Sequence, residues 1–379
     1  MEHKLRTLSS LREIDAAMWD SLANPAGQPL NPFISHAFLM ALEQSESATG
    51  KTGWAASHVI LEEAGVIVGV VPCYLKSHSM GEYVFDHGWA DAFHRAGGNY
   101  YPKLQVSIPF TPATGPRLLA ATAERRGILA TGLVAITEQL GASSAHMTFM
   151  PEQDWQTAGK QWLRRNDLQF HWYNNAFQSF DDFLASLSSS KRKNIRKERR
   201  AVVENGIAFE LVSGSELTEK HWDHFFGFYM DTGSRKWGKP YLTRQFFSAI
   251  NDTMKDQILL VLAKRRGCII AGALNFIGGD TLYGRNWGCS EDHAFLHFET
   301  CYYQAIDFAI AKGLKVVEAG AQGEHKLARG YLPVKTYSLH HFAHKGLARA
   351  VGDYLEQERA AIESNQQALA EHSPFRERE

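Results

Sequence analysis

Two apolar hairpins, spaced roughly 200 residues apart, constrain most strongly what this chain can fold into. The first joins residues 58–61 to 66–75 and turns at Gly65. The second joins 258–264 to 268–277 and turns at Gly267. Each hairpin follows a helix and precedes a third strand that ends in aromatic and glycine residues. A repeated order at this spacing is too long for a solenoid unit and indicates a duplicated domain.

The length supports the same interpretation. A chain of 379 residues with 44% hydrophobic residues is large enough for two cores. The predicted fold class is α/β of the α+β type, in which each domain has a mixed, mostly antiparallel sheet flanked by helices. We place the N-terminal domain at 1–165, the C-terminal domain at 166–355 and a polar tail at 356–379, with fraying expected beyond Gln366.

Charge and cysteine usage exclude several classes. The net charge of −1 gives no global field toward nucleic acid or membranes. The four cysteines form no closely spaced pair, which is typical of reduced thiols in a cytoplasmic protein. The N-terminus lacks an apolar signal core, and no apolar run approaches the ~20 residues that span a bilayer. We therefore expect a cytoplasmic protein without membrane insertion.

The stretch 316–344 concentrates chemistry-bearing side chains. A short apolar strand carrying Glu318 is followed by a glycine-rich polar segment and a second β-rich run near 336–342. The segment carries Glu324, His325, Lys326 and Arg329. Acid, base and cation between two buried strands are typical of an active-site loop, and glycine permits positive φ and close backbone approach. The alternative is a solvated hairpin loop.

A basic run indicates anion binding. Residues 191–200 contain seven lysines or arginines. On a helix, Arg192, Arg196 and Arg199 share one face, while Lys193, Lys197 and Arg200 line the next. Guanidinium groups bind phosphate oxygens bidentately, so we predict a phosphate-binding helix. A merely solvated face is the alternative.

A second cluster lies in the first half of the chain. Its residues combine aromatic rings with single charges: Asp86, Trp89, Tyr101, Lys103 and Arg117. Such a mixture suits a pocket for a partly apolar, partly charged ligand, or an aromatic mini-core beneath a long loop. The density of Pro, Gly and aromatic residues predicts a stiff loop rather than a helix.

Several motifs are missing. The sequence has no GxSxG elbow, no P-loop and no dinucleotide fingerprint. His293 and His297 have the spacing of zinc ligands, but Ala294 replaces the glutamate of a zinc protease and Glu299 falls on another helical face. We predict no metal site.

Four segments carry a family resemblance. KRKNIRKERRAVVENG at 191–206 and FYMDTGSRKWGKPY at 228–241 resemble the basic helix and following segment of Fem-type peptidyl transferases, which add amino acids to peptidoglycan precursors. PKLQVSIPFTPATGPR and GAQGEHKLARGYLP resemble the FemAB-like group of N-acyltransferases. That group is similar to the GNAT superfamily, which implies tandem GNAT-like domains and acyl transfer to an amine.

The resemblance leaves the donor open. Residues 288–293 stand where GNAT enzymes carry their acetyl-CoA loop. The resemblance implies acyl-CoA or aminoacyl-tRNA as the co-substrate, and we expect no tightly bound cofactor. The partners expected are a small-molecule or peptide amine acceptor and, for the second donor, tRNA.

Residue type and position suggest roles. Glu318 or Glu324 would take the amine proton, with His325 sharing that role. Lys326 and Arg329 would bind phosphate or the oxyanion, and Arg285 belongs to the same donor-binding set. The candidates for protonating the leaving group are Tyr283, Tyr302 and Tyr331. Two other classes stay open: a non-catalytic nucleic-acid- or phosphate-binding protein with the duplicated fold, and a metal hydrolase.

Overall fold

The computed structural model describes residues 3–236, 240–320 and 323–376 and shows two compact units. Unit 1 comprises Met1–Asp167 and Lys335–Ser364, and unit 2 comprises Leu168–Val334 and Asn365–Glu379. Residues 335–355, which the sequence assigned to the second domain, belong to unit 1 in the structure. The cause is an exchange of strands between the two halves of the chain, described below.

From residue 3 on, the described first half of the chain contains eight strands and five helices. The strands are β1 His3–Leu8, β2 Trp54–Ala56, β3 His58–Glu63, β4 Val66–Val71, β5 Cys73–Lys76, β6 Lys103–Val106, β7 Leu119–Ala120 and β8 Ser144–Met150. The helices are α1 Ala16–Ala23, α2 His36–Gln44, α3 His87–Arg95, α4 Ala123–Gln139 and α5 Glu152–Thr157. Short 3-10 helices cover Leu11–Glu13, Pro32–Ile34 and Gly50–Thr52.

The second half forms the remaining elements. The strands are β9 Leu163–Tyr173, β10 Ile207–Ser213, β11 Ile258–Arg265, β12 Cys268–Ile277, β13 Thr281–Cys289, β14 Val316–Glu318 and β15 Leu332–Phe342. The helices are α6 Phe180–Ser186, α7 Ser189–Glu204, α8 Glu219–Lys236, α9 Arg244–Met254, α10 Leu296–Phe298, α11 Gln304–Lys312 and α12 Lys345–Glu371. A π turn covers Glu299–Tyr303, and 3-10 helices cover Gly214–Glu216, Lys255–Gln257 and Glu324–Arg329.

Unit 1 contains two sheets that share one bent hairpin. The first has the order β1-β3-β4-β7, and the second contains β15-β8-β6-β5-β2. The hairpin bends where Ser57 separates β2 from β3 and Pro72 separates β4 from β5. Proline cannot donate to a ladder, so the pairing breaks there. Leu104, Met147 and other apolar residues of the second sheet pack with α4 residues in one core.

Unit 2 has one sheet in the order β10-β11-β12-β13-β14-β9. All neighbours are antiparallel except β13 and β14, which run parallel. The crossover between these two strands is α11, and Ile306 of this helix packs with Trp172 and Val317 of the sheet. This packing fixes one face of the sheet and leaves the ends of β13 and β14 for the site.

The two units repeat one topological theme. In each, a parallel pair is joined through a helix: β6 and β8 through α4, and β13 and β14 through α11. The next strand comes from the other half of the chain, because β15 pairs with β8 while β9 pairs with β14. The predicted fold class, with mixed and mostly antiparallel sheets flanked by helices, is confirmed.

Two local predictions are wrong. The segment that follows Asp86 forms α3 instead of a loop, because Trp89 faces a core with Phe342 and Leu347 and tertiary burial overrides the local propensity. The C-terminal segment stays helical to Glu371 and does not fray beyond Gln366. Leu369 packs against the core of unit 2, which explains the additional helical turns.

Candidate functional site

The site of unit 2 begins where two parallel strands separate. Tyr283 of β13 lies opposite Glu318 of β14 in the last paired register, after which β14 ends while β13 continues to Cys289. The gap adjoins a cavity of about 100 Å³. Its lining includes Gly284, Arg285, Cys301, Tyr302 and Ala319. The structure thus brings three predicted residues, Tyr283, Arg285 and Glu318, to the point where β13 and β14 separate.

His171 stands beside Glu318. β9 pairs antiparallel with β14 and places His171 opposite Glu318, with the imidazole Nε2 3.9 Å from the carboxylate Oε1. Burial, and then the charge of Lys326, lower the pKa of His171 to about 4, so the ring is neutral near pH 7. Sequence reasoning missed this residue. The alternation of apolar Phe170 and Trp172 with polar neighbours marks His171 as facing away from the core.

Lys326 places a buried cation at the end of β14. The chain leaves the strand through Gly320, at φ +73°, and the 3-10 helix Glu324–Arg329 follows. The helix directs the Nζ atom of Lys326 to the carbonyl oxygens of Ala319, at 2.7 Å, and of Gly320, at 3.2 Å. Burial lowers the pKa of Lys326 to about 8. This positive charge lies beside the cavity because Ala319 lines it.

His325 and Tyr302 form a hydrogen-bonded pair at the same cavity. The Tyr302 hydroxyl and His325 Nε2 are 3.1 Å apart. Burial raises the pKa of Tyr302, while burial and the neighbouring Arg329 and Lys326 lower the pKa of His325. Near pH 7 the pair is a neutral phenol and a neutral imidazole. The side chain of Glu324, predicted as an alternative base, lies outside the described residues.

Arg329 has a positioning role. Its Nη2 donates to Glu198 Oε1 at 2.7 Å, and its Nη1 donates to the His325 carbonyl oxygen at 2.7 Å. The guanidinium lies over the Phe298 ring, 3.4 Å from its centroid. Tyr303 also donates to Glu198. These contacts hold the 3-10 helix against α7, so the arginine predicted to bind a donor is occupied by the protein itself.

Tyr331 lies in the interior of unit 2. It is completely buried, and its hydroxyl donates to the carbonyl oxygen of Tyr302 at 3.4 Å. The Tyr302 hydroxyl, in contrast, belongs to a residue that lines the cavity. Of the two tyrosines, Tyr302 is the better candidate for a proton donor.

The basic run forms α7 as predicted. Some of its cations pair with acidic side chains of the protein, and others are exposed. Arg199 donates to Glu299 at 2.9 Å and to Asp307 at 2.7 Å, and lies over Phe180. Arg196 pairs with Asp181 at the surface, at 3.0 Å, and Arg192 is half-buried. The exposed basic side chains with no acidic partner among the described contacts are Lys193, Lys197 and Arg200. They are spaced along one stripe of the helix.

The first-half cluster is a buried network in unit 1. Lys103 donates to Ser79 at 2.8 Å, to Glu82 at 2.7 Å and to Asp86. Tyr100 donates to Asp86 at 2.7 Å. Burial raises the pKa of Glu82 to about 7. The pKa of Asp86 is lowered, because Lys103 outweighs the effect of burial. The charges of Lys103 and Asp86 satisfy each other inside the fold.

The other predicted members join this interior. Tyr101 contacts Ser79 at 2.8 Å, and Trp89 packs against Phe342 with the rings 5.7 Å apart. Arg117 donates to four carbonyl oxygens, those of Ala113, Gly115, Pro116 and Thr148, at 2.7 to 3.2 Å. The structure therefore favours the mini-core interpretation, with Arg117 acting as a loop clamp.

Among residues 3–236, 240–320 and 323–376, no three His, Cys, Asp or Glu side chains are grouped to hold a metal ion. His293 contacts Glu291 at 2.7 Å. No described helix is both long and apolar enough to cross a bilayer.

The fold and the strand separation define a class, that of α/β proteins with two units, each built on a mixed sheet with one parallel strand pair joined through a helix. Residues 10–377 match the sequence profile of the FemAB-like family, described as peptidoglycan biosynthesis/recognition, and the chain belongs to that family. The resemblance seen in the sequence is thereby confirmed.

Solved structures show the same fold. The chain is similar to FemX, with a TM-score of 0.56 and 13% identity, over 93% of this chain and 100% of that one. It is also similar to a conserved protein of Bacteroides thetaiotaomicron, with a TM-score of 0.52 and 9% identity, over 89% and 100%. It is also similar to L-PGS from Bacillus licheniformis, with a TM-score of 0.50 and 9% identity, over 84% of this chain and 93% of that one. No curated protein sequence matches the chain.

Proposed function

We propose that this protein is an N-acyltransferase that moves an acyl or aminoacyl group from a phosphate-bearing carrier to an amine acceptor. The observation that carries the proposal is the position of Glu318. This carboxylate lies where β13 and β14 separate, one residue before Ala319, which lines a cavity together with Arg285 and Tyr302. Membership of the FemAB-like family supports transfer chemistry, and the carrier and the acceptor are part of the proposal.

The proposed reaction is a single acyl transfer. The amine nitrogen forms a bond to the acyl carbon, and the bond from that carbon to the carrier's oxygen or sulfur breaks. Glu318 takes one amine proton, and the Tyr302 hydroxyl gives a proton to the leaving atom. Lys326 stabilises the negative charge that develops on the acyl oxygen.

His325 and Arg329 stabilise this arrangement through hydrogen bonds. The His325 imidazole is hydrogen-bonded to the Tyr302 hydroxyl. After transfer the tyrosinate regains a proton from solvent, which the imidazole relays by giving its Nε2 proton to the tyrosinate and taking a solvent proton at Nδ1. Arg329 holds the His325 backbone through its carbonyl oxygen. In this assignment Arg329 is a positioning residue, while Glu318, Tyr302 and Lys326 contact the reacting atoms.

Carrier phosphates are proposed to bind the exposed stripe of Lys193, Lys197 and Arg200, with Arg192 and Arg196 beside it. Acyl-CoA and aminoacyl-tRNA both carry phosphate. The stripe equally suits the alternative function, a non-catalytic nucleic-acid- or phosphate-binding protein. The two functions differ in whether an amide product forms.

A transfer assay tests the proposal. CoA thioesters and aminoacyl-tRNAs are offered with a panel of amines and peptides, and amide products are detected by mass spectrometry. Glu318→Gln keeps the shape but removes the base, so turnover should fall about a hundredfold or more while donor binding survives. Glu204→Gln, on the exposed end of α7, is the matched control. Turnover by Glu318→Gln equal to that of the control would refute the assignment of Glu318 as the base.

A further inference from the structure

A second cavity of unit 2 lies where β13 ends and the chain turns into α10, and we call it the β13–α10 cavity. Its volume is about 290 Å³, and no described side chain with a role in the proposed function lines it. It shares a wall with the cavity beside Ala319, because Trp287 and His297 line both. Pockets for small molecules usually have about 300–1,000 Å³, so this volume suits a small ligand.

Four aromatic rings line the β13–α10 cavity, and each belongs to a half-buried residue: Trp287, Phe295, His297 and Phe298. Neighbouring rings are inclined to each other. The Trp287 and His297 rings are 5.1 Å apart at 57°, and the His297 and Phe298 rings are 5.7 Å apart at 53°. A planar ligand stacks best between parallel rings, whereas inclined rings present their faces to a rounded one. The walls therefore favour a compact, rounded ligand group.

The charged side chains at the β13–α10 cavity are acidic. Glu291 and Asp292 line it, and among the described residues no lysine or arginine does. Glu291 is paired with Arg265 at 3.2 Å and with His293 at 2.7 Å. Asp292 is exposed and has no basic partner among the described contacts. Because this carboxylate charge is not compensated, the cavity attracts cations and repels phosphate and other anions.

We infer that the β13–α10 cavity binds a small quaternary ammonium ion, whose nitrogen carries alkyl groups in place of hydrogens. Aromatic faces attract cations, and several rings together recognise quaternary ammonium groups. The Phe298 ring already binds a cation in this protein, since the guanidinium of Arg329 lies 3.4 Å from its centroid. A primary ammonium ion must exchange its strongly bound water for hydrogen-bond acceptors. The alkyl groups of a quaternary ion need only the apolar contact that the rings supply.

Binding of choline tests the inference without any turnover. The protein is labelled with 5-fluorotryptophan, and its nine tryptophans are followed by ¹⁹F NMR, with Trp287 assigned as the resonance that Trp287→Phe lacks. The control ligand is 3,3-dimethylbutanol, a neutral analogue of choline in which carbon replaces the nitrogen. We expect the Trp287 resonance to move saturably with choline, and the alcohol to bind at least about tenfold more weakly.

Two results of these titrations would overturn the inference. Equal affinity for choline and the alcohol would show an apolar site without a preference for cations. Tighter binding of guanidinium chloride or of sodium pyrophosphate than of choline would assign a planar cation or an anion to the cavity instead.

Variants separate a ring contact from a structural effect. Trp287→Leu stays apolar but removes the ring, so choline should bind about tenfold more weakly, while Trp287→Phe should keep most of the affinity. Asp292→Asn removes an exposed charge and should weaken binding about threefold. The matched controls are Trp155→Leu, at another half-buried tryptophan, and Asp252→Asn, at another exposed aspartate. Calorimetry measures the affinities. Unchanged affinity in a folded Trp287→Leu protein and in Asp292→Asn would overturn the inference.

The inference goes beyond the proposed function and is independent of it. Selective choline binding by a protein that forms no amide product would support the cation site and refute the transferase. Amide formation by a protein that does not bind choline would support the transferase and refute the cation site.

Discussion

The guanidinium of Arg329 and the carboxylate of Glu198 form a largely buried ion pair, 2.7 Å apart, that joins the 3-10 helix after β14 to the basic helix α7. The pair links the proposed catalytic residues to the proposed carrier-binding surface. Tyr303 donates to the second oxygen of the same carboxylate. A substitution of Arg329 or Glu198 should therefore affect both the proposed catalytic residues and the proposed carrier-binding surface.

Breaking that pair should cost stability. Arg329→Gln leaves Glu198 partly buried without its cation, and we expect the free energy of unfolding to fall by about 3 kcal/mol. Urea unfolding measures it. The matched control is Arg196→Gln, since the Arg196–Asp181 pair is exposed and its loss should cost less than about 1 kcal/mol. Similar losses in the two variants would contradict the structural role of Arg329.

The exposed stripe of α7 should control carrier affinity. Changing Lys193, Lys197 and Arg200 together to Ala should weaken binding of the functional donor and make the binding less dependent on salt, because fewer phosphate contacts form. Affinity is measured by filter binding or calorimetry at several salt concentrations. The control variant changes Lys4, Arg12 and Lys51 of unit 1 to Ala, which removes the same number of positive charges. If both triple variants bind alike, α7 is only a solvated face.

Arg117 should be a stability residue of unit 1. Its four donated hydrogen bonds satisfy carbonyl oxygens of a loop and of β8. Arg117→Met should lower the free energy of unfolding by about 2 to 4 kcal/mol, because buried carbonyl oxygens lose their donors. Donor binding at 10 °C should be unchanged in the folded variant. A stable protein that has lost ligand binding would instead restore the original ligand-binding prediction for Arg117.

Acid should destabilise unit 1 through two buried histidines. His146 and His340 are 2.7 Å apart at their Nδ1 atoms, and burial lowers both pKa values well below the usual one, helped for His146 by Lys103. Depressed pKa values in the folded state mean that the stability is present above about pH 6.5 and is lost as the pH falls.

The expected slope is about 1.4 kcal/mol of unfolding free energy per pH unit for each histidine below that pH. Urea unfolding between pH 7.5 and pH 5 measures it. The double variant His146→Leu and His340→Leu should show a shallower slope, whereas His87→Gln, at an exposed histidine, should keep the original one. Equal slopes in all three proteins would show that the pair is not the acid-sensitive element.

Much of the fold follows from local signals. The hairpins turn at Gly65 and Gly267 with positive φ, at +79° and +80°, as the sequence predicts. The basic run forms a helix that ends shortly before Gly206, a residue with φ +71°. Turn chemistry and apolar periodicity act over a few residues, so one sequence suffices to locate such elements.

The site could be predicted in part for the same reason. Glu318 and Lys326 stand in a short segment whose pattern already marks a strand end, and Arg285 stands in a predicted strand. The contacts that each side chain makes could not be predicted, because its partners lie far away in the sequence. Glu299 and Asp307 occupy Arg199, Glu198 occupies Arg329, and the resulting charge pairs appear only after packing.

By itself the sequence determined the duplicated order of elements, the positions of the two hairpins and of the basic helix, and the location of a polar segment after β14. Only the tertiary structure decided which strand completes each unit, since β9 pairs with β14 and β15 pairs with β8. That pairing sets His171 beside Glu318. The physical reason is that strand pairing joins residues far apart along the chain through backbone hydrogen bonds, whose partners carry no local sequence signal.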